Sequence, residues 1–435
     1  MKKIVCKFGG SSVADAAQVE KVVSIVRSDE RRCLVVPSAP GKRSDDDTKI
    51  TDLLYLCHEL ARQNVDFSEP FNKISTRYLD LSKALSVSID MEGLLAEVES
   101  RIADGAGRDY VASRGEYLCG RILADVLGAA FVDPAEAILF RTDGRLDSDS
   151  YRRLRSHLLD ERLYVIPGFY GADAKGEIVT FSRGGSDITG AIVARAVGAG
   201  VYENWTDVSG LLMADPRLVP NPLPVEEITY REMRELAYMG ADVLHDEAMF
   251  PVRTAEIPIH IRNTNRPEDA GTLILPGREL TERMIAGVAG RPNFSMLFIE
   301  KDLMNQMTGF GQQVLEVVAR HGISYDHTPS GIDTMSVIIQ DEQLDGKGEL
   351  LVEDIQRIIE PDRVELIHGL ALIATVGEGM SHRVGIAARL FTALADAGVN
   401  VRVIDQGASE INIIVGVEEA DLETALVAIY RAFVK

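Results

Sequence analysis

The sequence predicts an α/β protein in which a mainly parallel sheet, sandwiched by helices, is followed by two smaller repeated units. Three observations support this. Short apolar strands alternate with amphipathic helices along the first part of the chain, glycine-rich loops follow two strand ends, and the pattern changes after about Arg278. With 435 residues the chain is too long for one typical core, so two or three domains are expected.

The most informative loop follows the first predicted strand, Ile4–Cys6. There the sequence continues as Lys7-Phe8-Gly9-Gly10-Ser11-Ser12. Glycines let a backbone approach a ligand closely, the amides that open a helix can bind an anion, and a lysine adds a point charge. This pattern predicts a phosphate-binding loop, although a Gly-Gly turn at a strand end is more often simple punctuation.

A second loop repeats the same chemistry in Phe181-Ser182-Arg183-Gly184-Gly185-Ser186-Asp187. A strand end, a cation, paired glycines, a hydroxyl and a carboxylate follow one another. Two such loops indicate one nucleotide site at the carboxyl ends of the strands. The other strands predicted in this region are Leu34–Val36, Tyr164–Pro167, Val179–Phe181, Val201–Trp205 and Ile257–Ile261. The first helix is predicted from apolar residues at i, i+3, i+4 and i+7, namely Val19, Val22, Val23 and Val26.

Two similar units are predicted from Ser295 onward, each with a strand, a glycine-bearing turn, an amphipathic helix and further strands. The helix of the first unit has Val314, Val317 and Val318 on one face and ends at His321-Gly322. The helix of the second has Ile386, Leu390 and Leu394 on one face and ends at Gly398, followed by an alternating strand at Val399, Val401 and Val403. Units of about 70 residues are marginal alone, so pairing with another such unit is expected.

Composition restricts the partners. Hydrophobic residues make up 46% of the chain and charged residues 26%, as in an ordinary soluble globular protein. The formal net charge of -21 disfavours nucleic acid or an anionic membrane as a partner. Cys6, Cys33, Cys57 and Cys119 form no C-x-x-C pair, so neither zinc nor disulfides are predicted. Because Lys7 interrupts the first apolar stretch and no apolar run has membrane-spanning length, a cytoplasmic protein is expected.

Five segments, in this order, resemble the motifs of aspartate kinases, within the amino-acid kinase superfamily. They are Lys7–Val13, Ser113–Glu116, Phe181–Asp187, Trp205–Gly210 with Asp215–Arg217, and Gly240–His245. The tail resembles that family's pair of ferredoxin-like ACT domains, and a monofunctional enzyme is expected rather than the fusion to homoserine dehydrogenase. The resemblance covers essentially the whole chain and implies a kinase domain at 1–285 and ACT domains at 291–365 and 366–435. The last strand is allowed to return to the first ACT sheet.

The resemblance implies transfer of the γ-phosphoryl group of ATP to the β-carboxylate of L-aspartate, which yields 4-phospho-L-aspartate and opens the route to lysine, threonine and methionine. Such an acceptor is already ionised near neutral pH and needs no base. The protein must hold two anions in line and neutralise the charge on the transferring group. Magnesium is expected to arrive on ATP, without a dedicated metal site.

The resemblance also assigns residues. Lys7 neutralises the phosphoryl group and Asp187 organises Lys7. Glu116 receives the α-ammonium of aspartate, and Arg183 has the fork that suits its α-carboxylate. Hydroxyl contacts are expected from Ser38, Thr51 and Ser186. The ATP-binding residues are Lys7, Phe8, Gly9, Gly10, Ser11, Thr206, Asp207, Leu212, Asp215 and Arg217. The plain alternative for Glu116 and Arg183 is a surface ion pair, and core packing is favoured for Trp205.

Three positions depart from the family pattern. Asp242 stands where many members have a lysine, Asp246 where they have a proline, and Leu212 where an aromatic residue is common. An aspartate at position 242 inverts the charge that would face the nucleotide phosphates. Either ATP affinity is lower or another cation substitutes. The candidate substitutes are Lys42, Lys49 and Arg253.

The ACT resemblance implies an inhibitory amino acid, with lysine favoured over threonine. Its expected contacts are Met304, Gly309, Ser324 and Asp326. Interlocked ACT domains imply a homodimer, and a tetramer stays open. Three alternatives remain at this point: a sibling kinase for glutamate, acetylglutamate or a nucleoside monophosphate; an amino-acid sensor without catalysis; and an NAD-dependent dehydrogenase, whose G-x-G-x-x-G motif is absent from the sequence.

Overall fold

The structure is a computed structural model that describes residues 2–182, 184–241, 244, 246–279 and 283–434, with Asp246 described by its backbone alone. Two compact units are found. The first consists of Met1–Leu211, Pro224–Tyr230 and Asp242–Arg278. The second consists of Leu212–Leu223, Arg231–Ala241 and Glu279–Lys435, so two short segments of the predicted kinase domain group with the tail.

An eight-stranded, mainly parallel sheet forms the first unit, in the order β10-β12-β11-β7-β1-β2-β4-β3. Only the β11–β12 pair of this sheet is antiparallel. The strands up to residue 278 are β1 (Ile4–Phe8), β2 (Leu34–Pro37), β3 (Ala130–Phe131), β4 (Tyr164–Val165), β5 (Tyr170–Ala172), β6 (Ile178–Thr180), β7 (Val201–Thr206), β8 (Leu211–Leu212), β9 (Pro224–Val225), β10 (Glu227–Thr229), β11 (Ile259–Asn263) and β12 (Thr272–Leu275). The predicted parallel sheet is therefore confirmed.

α-Helices separate several of these strands along the chain. They are α1 (Ala16–Arg27), α2 (Ile50–Arg62), α3 (Ser68–Ala84), α4 (Met91–Ala103), α5 (Arg108–Leu127), α6 (Pro134–Ala137), α7 (Asp149–His157), α8 (Gly185–Val197), α9 (Tyr230–Tyr238) and α10 (Asp246–Thr254). The first predicted helix is confirmed: Asp15 caps α1 by accepting from the Gln18 amide, and Val19, Val22 and Val26 are buried. No helix in the described part of the chain combines the length and apolar character needed to cross a membrane.

The bounds of two strands differ from the prediction for local reasons. The strand expected at Ile257–Ile261 begins at Ile259 and runs to Asn263. It starts directly after Pro258, which has no amide to donate to a ladder. The strand expected at Tyr164–Pro167 is shorter, Tyr164–Val165, and it is followed by Pro167, which has no amide to donate to a ladder.

The second unit contains a five-stranded antiparallel sheet in the order β14-β13-β15-β17-β16. Its strands are β13 (Gly287–Glu300), β14 (Thr334–Gln340), β15 (Arg363–Val376), β16 (Val403–Asp405) and β17 (Asn412–Glu418). Its helices, beside most of α9, are α11 (Phe310–Arg320), α12 (Asp341–Leu344), α13 (Gly348–Ile359), α14 (Ile386–Asp396) and α15 (Leu422–Phe433). The predicted repeat of strand, turn and helix is confirmed.

Two 14-residue strands, β13 and β15, pair along their whole length and pass through both repeats. β14 pairs with the second half of β13, whereas β17 pairs with the second half of β15. The last described strand, β17, therefore stays with the second repeat and does not return to the first, contrary to that expectation. Because β13 already runs beside residues 372–376 of β15, no returning strand is needed.

The strand predicted from Val399 begins only at Val403. The backbone at Gly398 is left-handed, with φ of 74°. The Val399 amide then donates to the Leu394 carbonyl, which closes the end of α14. Val399 thus completes a helix cap, and ladder pairing starts after it.

We expect Gly377→Ala to destabilise the protein. The Gly377 backbone is extended, with φ of 174°, so conformation is no obstacle. A Cβ there would lie 2.5 Å from both the Ile285 Cα and the Met284 carbonyl oxygen. Because these are backbone atoms, they cannot move away without disturbing the chain around them. Overpacking of this kind typically costs about 1–3 kcal/mol. Urea unfolding should show this loss, whereas Gly407→Ala, where a Cβ meets nothing within 4 Å, should be neutral. Equal stabilities for the two variants would contradict the described packing.

Candidate active site

The candidate site begins where three adjacent parallel strands end. In the register of β1 with its neighbours, Phe8 pairs with Pro37 of β2 and with Trp205 of β7. The turn after β1, Ser38 and Thr206 therefore lie at one edge of the sheet. This is the edge at which open parallel sheets bind ligands.

Lys7 is a buried cation in a fixed position, with 8% of its surface exposed. Its Nζ lies 2.6 Å from the Asp187 carboxylate and 3.4 Å from Asn204 Oδ1. The Asn204 amide nitrogen donates to the same Asp187 oxygen at 2.9 Å. The Tyr202 hydroxyl also donates to the Asp187 carbonyl at 3.0 Å. The structure thus brings Lys7 and Asp187 together and adds Asn204, which the sequence analysis missed.

The turn after β1 is packed closely against Gly41. The Gly9 amide donates to the Trp205 carbonyl at 2.9 Å, and the Gly41 amide donates to the Gly10 carbonyl at 2.8 Å. A Cβ on Gly41 would lie 2.7 Å from the Gly10 carbonyl carbon, so this close approach excludes a side chain. The Gly10 and Ser11 amides donate to no group in the described residues. They are therefore available to an anion near the Lys7 ammonium.

Glu116 is a buried carboxylate without a full set of partners. Its surface is 6% exposed, and Oε2 has no hydrogen-bond partner in the described part of the chain. Burial raises its pKa to about 8, opposed by hydrogen bonding to the Ala39 amide and by the charge of Arg114. A buried carboxylate of this kind is costly unless a cation or donor pairs with it. The site therefore favours a ligand ammonium at Glu116, not a surface ion pair.

The three predicted hydroxyl residues lie at the end of one strand and in the first turns of two helices. Ser38 follows β2, and its amide donates to the Phe8 carbonyl at 3.0 Å. Thr51 is in the first turn of α2, and Ser186 is buried in the first turn of α8. Gly168 packs so closely on Ser186 that a Cβ there would lie 2.5 Å from its Oγ. Arg183 lies outside the described residues.

Phe169, next to Gly168, has a backbone φ of 81°, which is unusual for a residue other than glycine. Its amide donates to Thr189 Oγ1 at 3.0 Å, and the Phe181 amide donates to its carbonyl at 2.9 Å. Backbone strain of this kind persists only where surrounding contacts enforce it. Here those contacts hold the segment against the start of α8, which carries Ser186 and Asp187.

Phe8 and Trp205 belong to the core rather than to a ligand surface. Both are fully buried, and their rings stack with centroids 6.0 Å apart. The Trp205 indole donates to Glu203 at 2.9 Å, and the Arg262 guanidinium lies 4.5 Å from its ring centroid. The expectation of core packing for Trp205 is confirmed. Phe8 can offer a ligand only its backbone.

The other residues that were predicted to bind the nucleotide are held by fewer contacts. Thr206 Oγ1 donates to the exposed carboxylate of Asp207 at 3.2 Å. Asp215 and Arg217 form an ion pair at 2.5 Å within the second unit's segment Leu212–Leu223. Asp242 and the side chain of Asp246 lie outside what the structure describes. The three candidate substitute cations all belong to the first unit: Lys42, which donates to the Asp45 carbonyl, Lys49, which precedes α2, and Arg253, which stacks on Phe250.

The residues expected to bind an effector lie around the first helix of the repeat. Met304 is buried in a short 3-10 turn, and Gly309, with φ of 81°, precedes α11. The Ser324 amide donates to Gln343 at 3.4 Å. The carboxylate of Asp326 accepts from the Tyr238 hydroxyl of α9. Burial, followed by this contact, raises the pKa of Tyr238 to about 12.

No cluster of three or more His, Cys, Asp or Glu side chains suited to a metal ion is found among the described residues. The same strand edge holds Lys7 and free amides, which fit the phosphates of a nucleotide. Two further residues on α3 escaped the sequence analysis: Arg77, which donates to the Gly41 carbonyl in the loop after β2, and Tyr78, which donates to the Gly115 carbonyl of α5. Their pattern in the sequence, a polar pair inside an amphipathic helix, carries no signal for this role.

Comparison with known proteins gives consistent matches. Residues 2–263 match the amino acid kinase family model, and residues 373–433 match an ACT domain model. Aspartokinase 3 of Bacillus subtilis is 39% identical, over 99% of this chain and 98% of its own length. The crystal structure of Clostridium acetobutylicum aspartate kinase is 48% identical, covers 100% of this chain and 99% of its own, and has a TM-score of 0.91.

Escherichia coli aspartokinase III, solved with aspartate and ADP, is 27% identical with a TM-score of 0.77 and covers 100% of both chains. The structure of the same enzyme with lysine and aspartate is 26% identical with a TM-score of 0.78, at the same coverage. Similarity thus extends through both units of the chain.

Glu116→Gln should increase stability at alkaline pH. The pKa of Glu116 is raised from 4.5 to about 8 in the folded state, so the unfolded chain loses its proton first as pH rises. The wild type therefore loses stability between about pH 5 and pH 8, at ~1.4 kcal/mol per unit of pKa shift. Glutamine, which does not ionise, avoids this loss. Thermal unfolding should show the two proteins similar at pH 5 and the variant more stable at pH 8.5. The exposed Glu97→Gln should show no such trend, and a pH-independent difference for Glu116→Gln would contradict the assignment.

Proposed function

Because the chain belongs to the aspartokinases of the amino acid kinase family, we propose that it transfers the γ-phosphoryl group of ATP to the β-carboxylate of L-aspartate. The product is 4-phospho-L-aspartate, the precursor from which lysine, threonine and methionine are made. The observation that carries this proposal is the joint presence, at one strand edge, of a fixed buried cation with free amides and of a buried carboxylate, Glu116, whose Oε2 has no hydrogen-bond partner among the described residues.

On the phosphoryl side, the chain acts by position and charge. Lys7 lies beside free amides of the turn that follows β1, and Asp187 with Asn204 restricts its ammonium to one place. Charge that develops on the transferring phosphoryl group would meet a cation that needs no rearrangement. Asp187 is already paired with Lys7, so we assign it to orienting that lysine and not to proton transfer. Thr206, Asp207, Leu212, Asp215 and Arg217 remain the proposed contacts of the rest of the nucleotide.

On the acceptor side, Glu116 would pair with the α-ammonium of aspartate. Its unpaired Oε2 gains a charge-assisted hydrogen bond on binding, which offsets the cost of its burial. Ser38, Thr51 and Ser186 would bind the carboxylates, together with Arg183. The acceptor carboxylate is itself the nucleophile, so orientation rather than deprotonation is what the chain must supply. The complex of E. coli aspartokinase III with aspartate and ADP supports this pair of ligands.

Magnesium would be carried on the nucleotide, since magnesium commonly keeps several waters and binds through substrate phosphates. For the assembly we propose a homodimer through the ACT domains, leaving a tetramer open. A cytoplasmic location is supported by the four buried free cysteines, which are typical of a reducing compartment.

For regulation we propose inhibition by lysine, bound at the first ACT domain near Met304, Gly309, Ser324 and Asp326. The E. coli enzyme solved with lysine and aspartate supports this choice over threonine. Asp326 offers a carboxylate to an ammonium group, and it is occupied by the Tyr238 hydroxyl in the described structure. Inhibition would follow from a difference in effector affinity between two states of the enzyme.

Lys7→Met should abolish most turnover. The variant keeps an unbranched side chain, one atom shorter, but removes the cation, and loss of one preorganised electrostatic group typically lowers kcat by about 10²–10³-fold. The measurement is aspartate-dependent hydroxamate formation with ATP and hydroxylamine. Lys21→Met is the control, because Lys21 is exposed on α1 and its described hydrogen bond is to Asn265, outside the proposed site. Turnover by Lys7→Met above about one tenth of wild type would exclude this role.

Lysine should inhibit the wild type more strongly than threonine does. Asp326→Asn should raise the half-inhibitory lysine concentration about tenfold, as expected when a charged hydrogen bond to a ligand is lost. Each variant is compared with its own uninhibited rate. Glu353→Gln, which removes an exposed charge on α13, should leave the lysine response unchanged. An unaltered midpoint in Asp326→Asn would place the effector elsewhere.

A further inference from the structure

Arg77, on α3, is a buried cation to which the proposed reaction gives no role, with 7% of its surface exposed. Its Nη2 donates to the Gly41 carbonyl at 2.6 Å and to the Ala14 carbonyl at 3.3 Å. Its Nη1 donates to the Thr48 carbonyl at 3.2 Å and lies 3.4 Å from the carboxylate of Asp47. One guanidinium therefore joins three separate stretches of backbone.

The burial of this charge is compensated mainly by backbone. Desolvation lowers the pKa of Arg77, and the Asp47 carboxylate opposes that effect. Asp47 is shared, since it also accepts from the Arg43 side chain at 2.9 Å. Arginine suits this task because its planar fork presents several donors in a fixed arrangement. Main-chain carbonyls held in this way cannot shift without leaving a buried cation unpaired.

The carbonyls bound by Arg77 delimit the loop between two proposed acceptor contacts. Ser38 lies three residues before Gly41, and Thr51 lies three residues after Thr48. At its first end the loop is also bound to the turn that follows β1, because the Gly41 amide donates to the Gly10 carbonyl. Arg77 thus holds both ends of a loop that is flanked by Ser38 and Thr51, two of the proposed contacts of aspartate.

Tyr78, the next residue on α3, is hydrogen-bonded beside Glu116, another proposed contact of aspartate. The Tyr78 hydroxyl donates to the Gly115 carbonyl at 2.7 Å, and both residues are buried. Gly115 immediately precedes Glu116 on α5. Consecutive helical side chains point in different directions, so this pair can reach the loop and α5 at once. The phosphoryl side touches Arg77 through the Ala14 carbonyl, but it also has supports that do not involve α3, namely the Lys7–Asp187 pair and the Gly9–Trp205 hydrogen bond.

We propose that Arg77 is a positioning residue for the acceptor side of the reaction. It touches neither substrate; it sets the places of Ser38 and Thr51, while Tyr78 sets that of Glu116. This inference rests on the proposed function. The inference predicts different effects on the two substrates: substitution of Arg77 weakens the binding and orientation of aspartate and leaves nucleotide binding largely intact.

The experiment uses the full chain with Arg77→Lys and Arg77→Met. Hydroxamate formation is measured against aspartate at saturating ATP, and the affinity for magnesium-ADP is measured by isothermal titration calorimetry. We expect Arg77→Met to raise the KM for aspartate about tenfold or more and to lower kcat, because small misplacements of positioning groups can cost up to ~10²-fold. The ADP affinity should change by less than about threefold. Arg77→Lys should fall between, since lysine keeps the charge without the fork.

Arg62→Met is the matched control. Arg62 is an exposed arginine on α2 whose described partner is Glu59, so its loss should leave both parameters unchanged. Added guanidinium should restore part of the activity of Arg77→Ala by filling the vacated position, and it should do nothing for Lys7→Met.

Two outcomes overturn the inference. One is an aspartate KM within about twofold of wild type in both Arg77 variants, and the other is an equal loss of aspartate and ADP affinity, which indicates general damage. If Arg77→Met does not fold, the test uses Arg77→Lys and Tyr78→Phe instead. A raised KM for aspartate in either variant supports the inference, and a wild-type KM in both variants overturns it. A wild type that binds ADP without phosphorylating aspartate would instead refute the proposed function, and the inference with it.

Discussion

The ion pair between Lys7 and Asp187 is the interaction on which the arrangement of the site depends. Both groups are largely removed from water, so neither can move without exposing the other as an unpaired charge. Asn204 closes the triangle from the neighbouring strand. A strand end, a helix start and a middle strand of the sheet are thereby fixed relative to one another. The cation is held rigidly, which is what stabilisation of a short-lived charge requires.

The two sides of the site manage charge in opposite ways. The phosphoryl side is electrostatically complete, because its cation already has a carboxylate partner. The proposed acceptor side is incomplete, because Oε2 of the buried Glu116 has no hydrogen-bond partner in the part of the chain that the structure describes. This incompleteness costs folding free energy above about pH 5, and a substrate ammonium would offset that cost on binding. With the proposed role of Glu116, the stability lost there would serve ligand recognition, a trade-off that is common at functional sites.

Much of this architecture could be predicted from local sequence signals. Alternating strands and helices, the Gly9-Gly10 turn and the twin units of the tail all follow from patterns within about ten residues. The kinase assignment excludes the dehydrogenase alternative. What escaped prediction depends on long-range pairing. Asn204 acquires its partners only when β7 lies beside β1, and Arg77 binds carbonyls 29 to 63 residues away. The late start of β16 reflects a helix cap whose hydrogen bonds outweigh the alternating pattern of valines.

The sheet of the second unit has a consequence for the chain while it is being synthesised. β13 is complete at residue 300, yet its partners are residues 334–340 and 363–376. One edge of this 14-residue strand therefore stays unpaired until about 40 further residues have been added, and the other edge until about 60 to 75 have been added. Unpaired edges of this kind recruit other strands, including those of neighbouring nascent chains. The continuity that joins the two repeats into one sheet in the finished protein thus creates an interval during translation in which protection from aggregation must come from outside the chain.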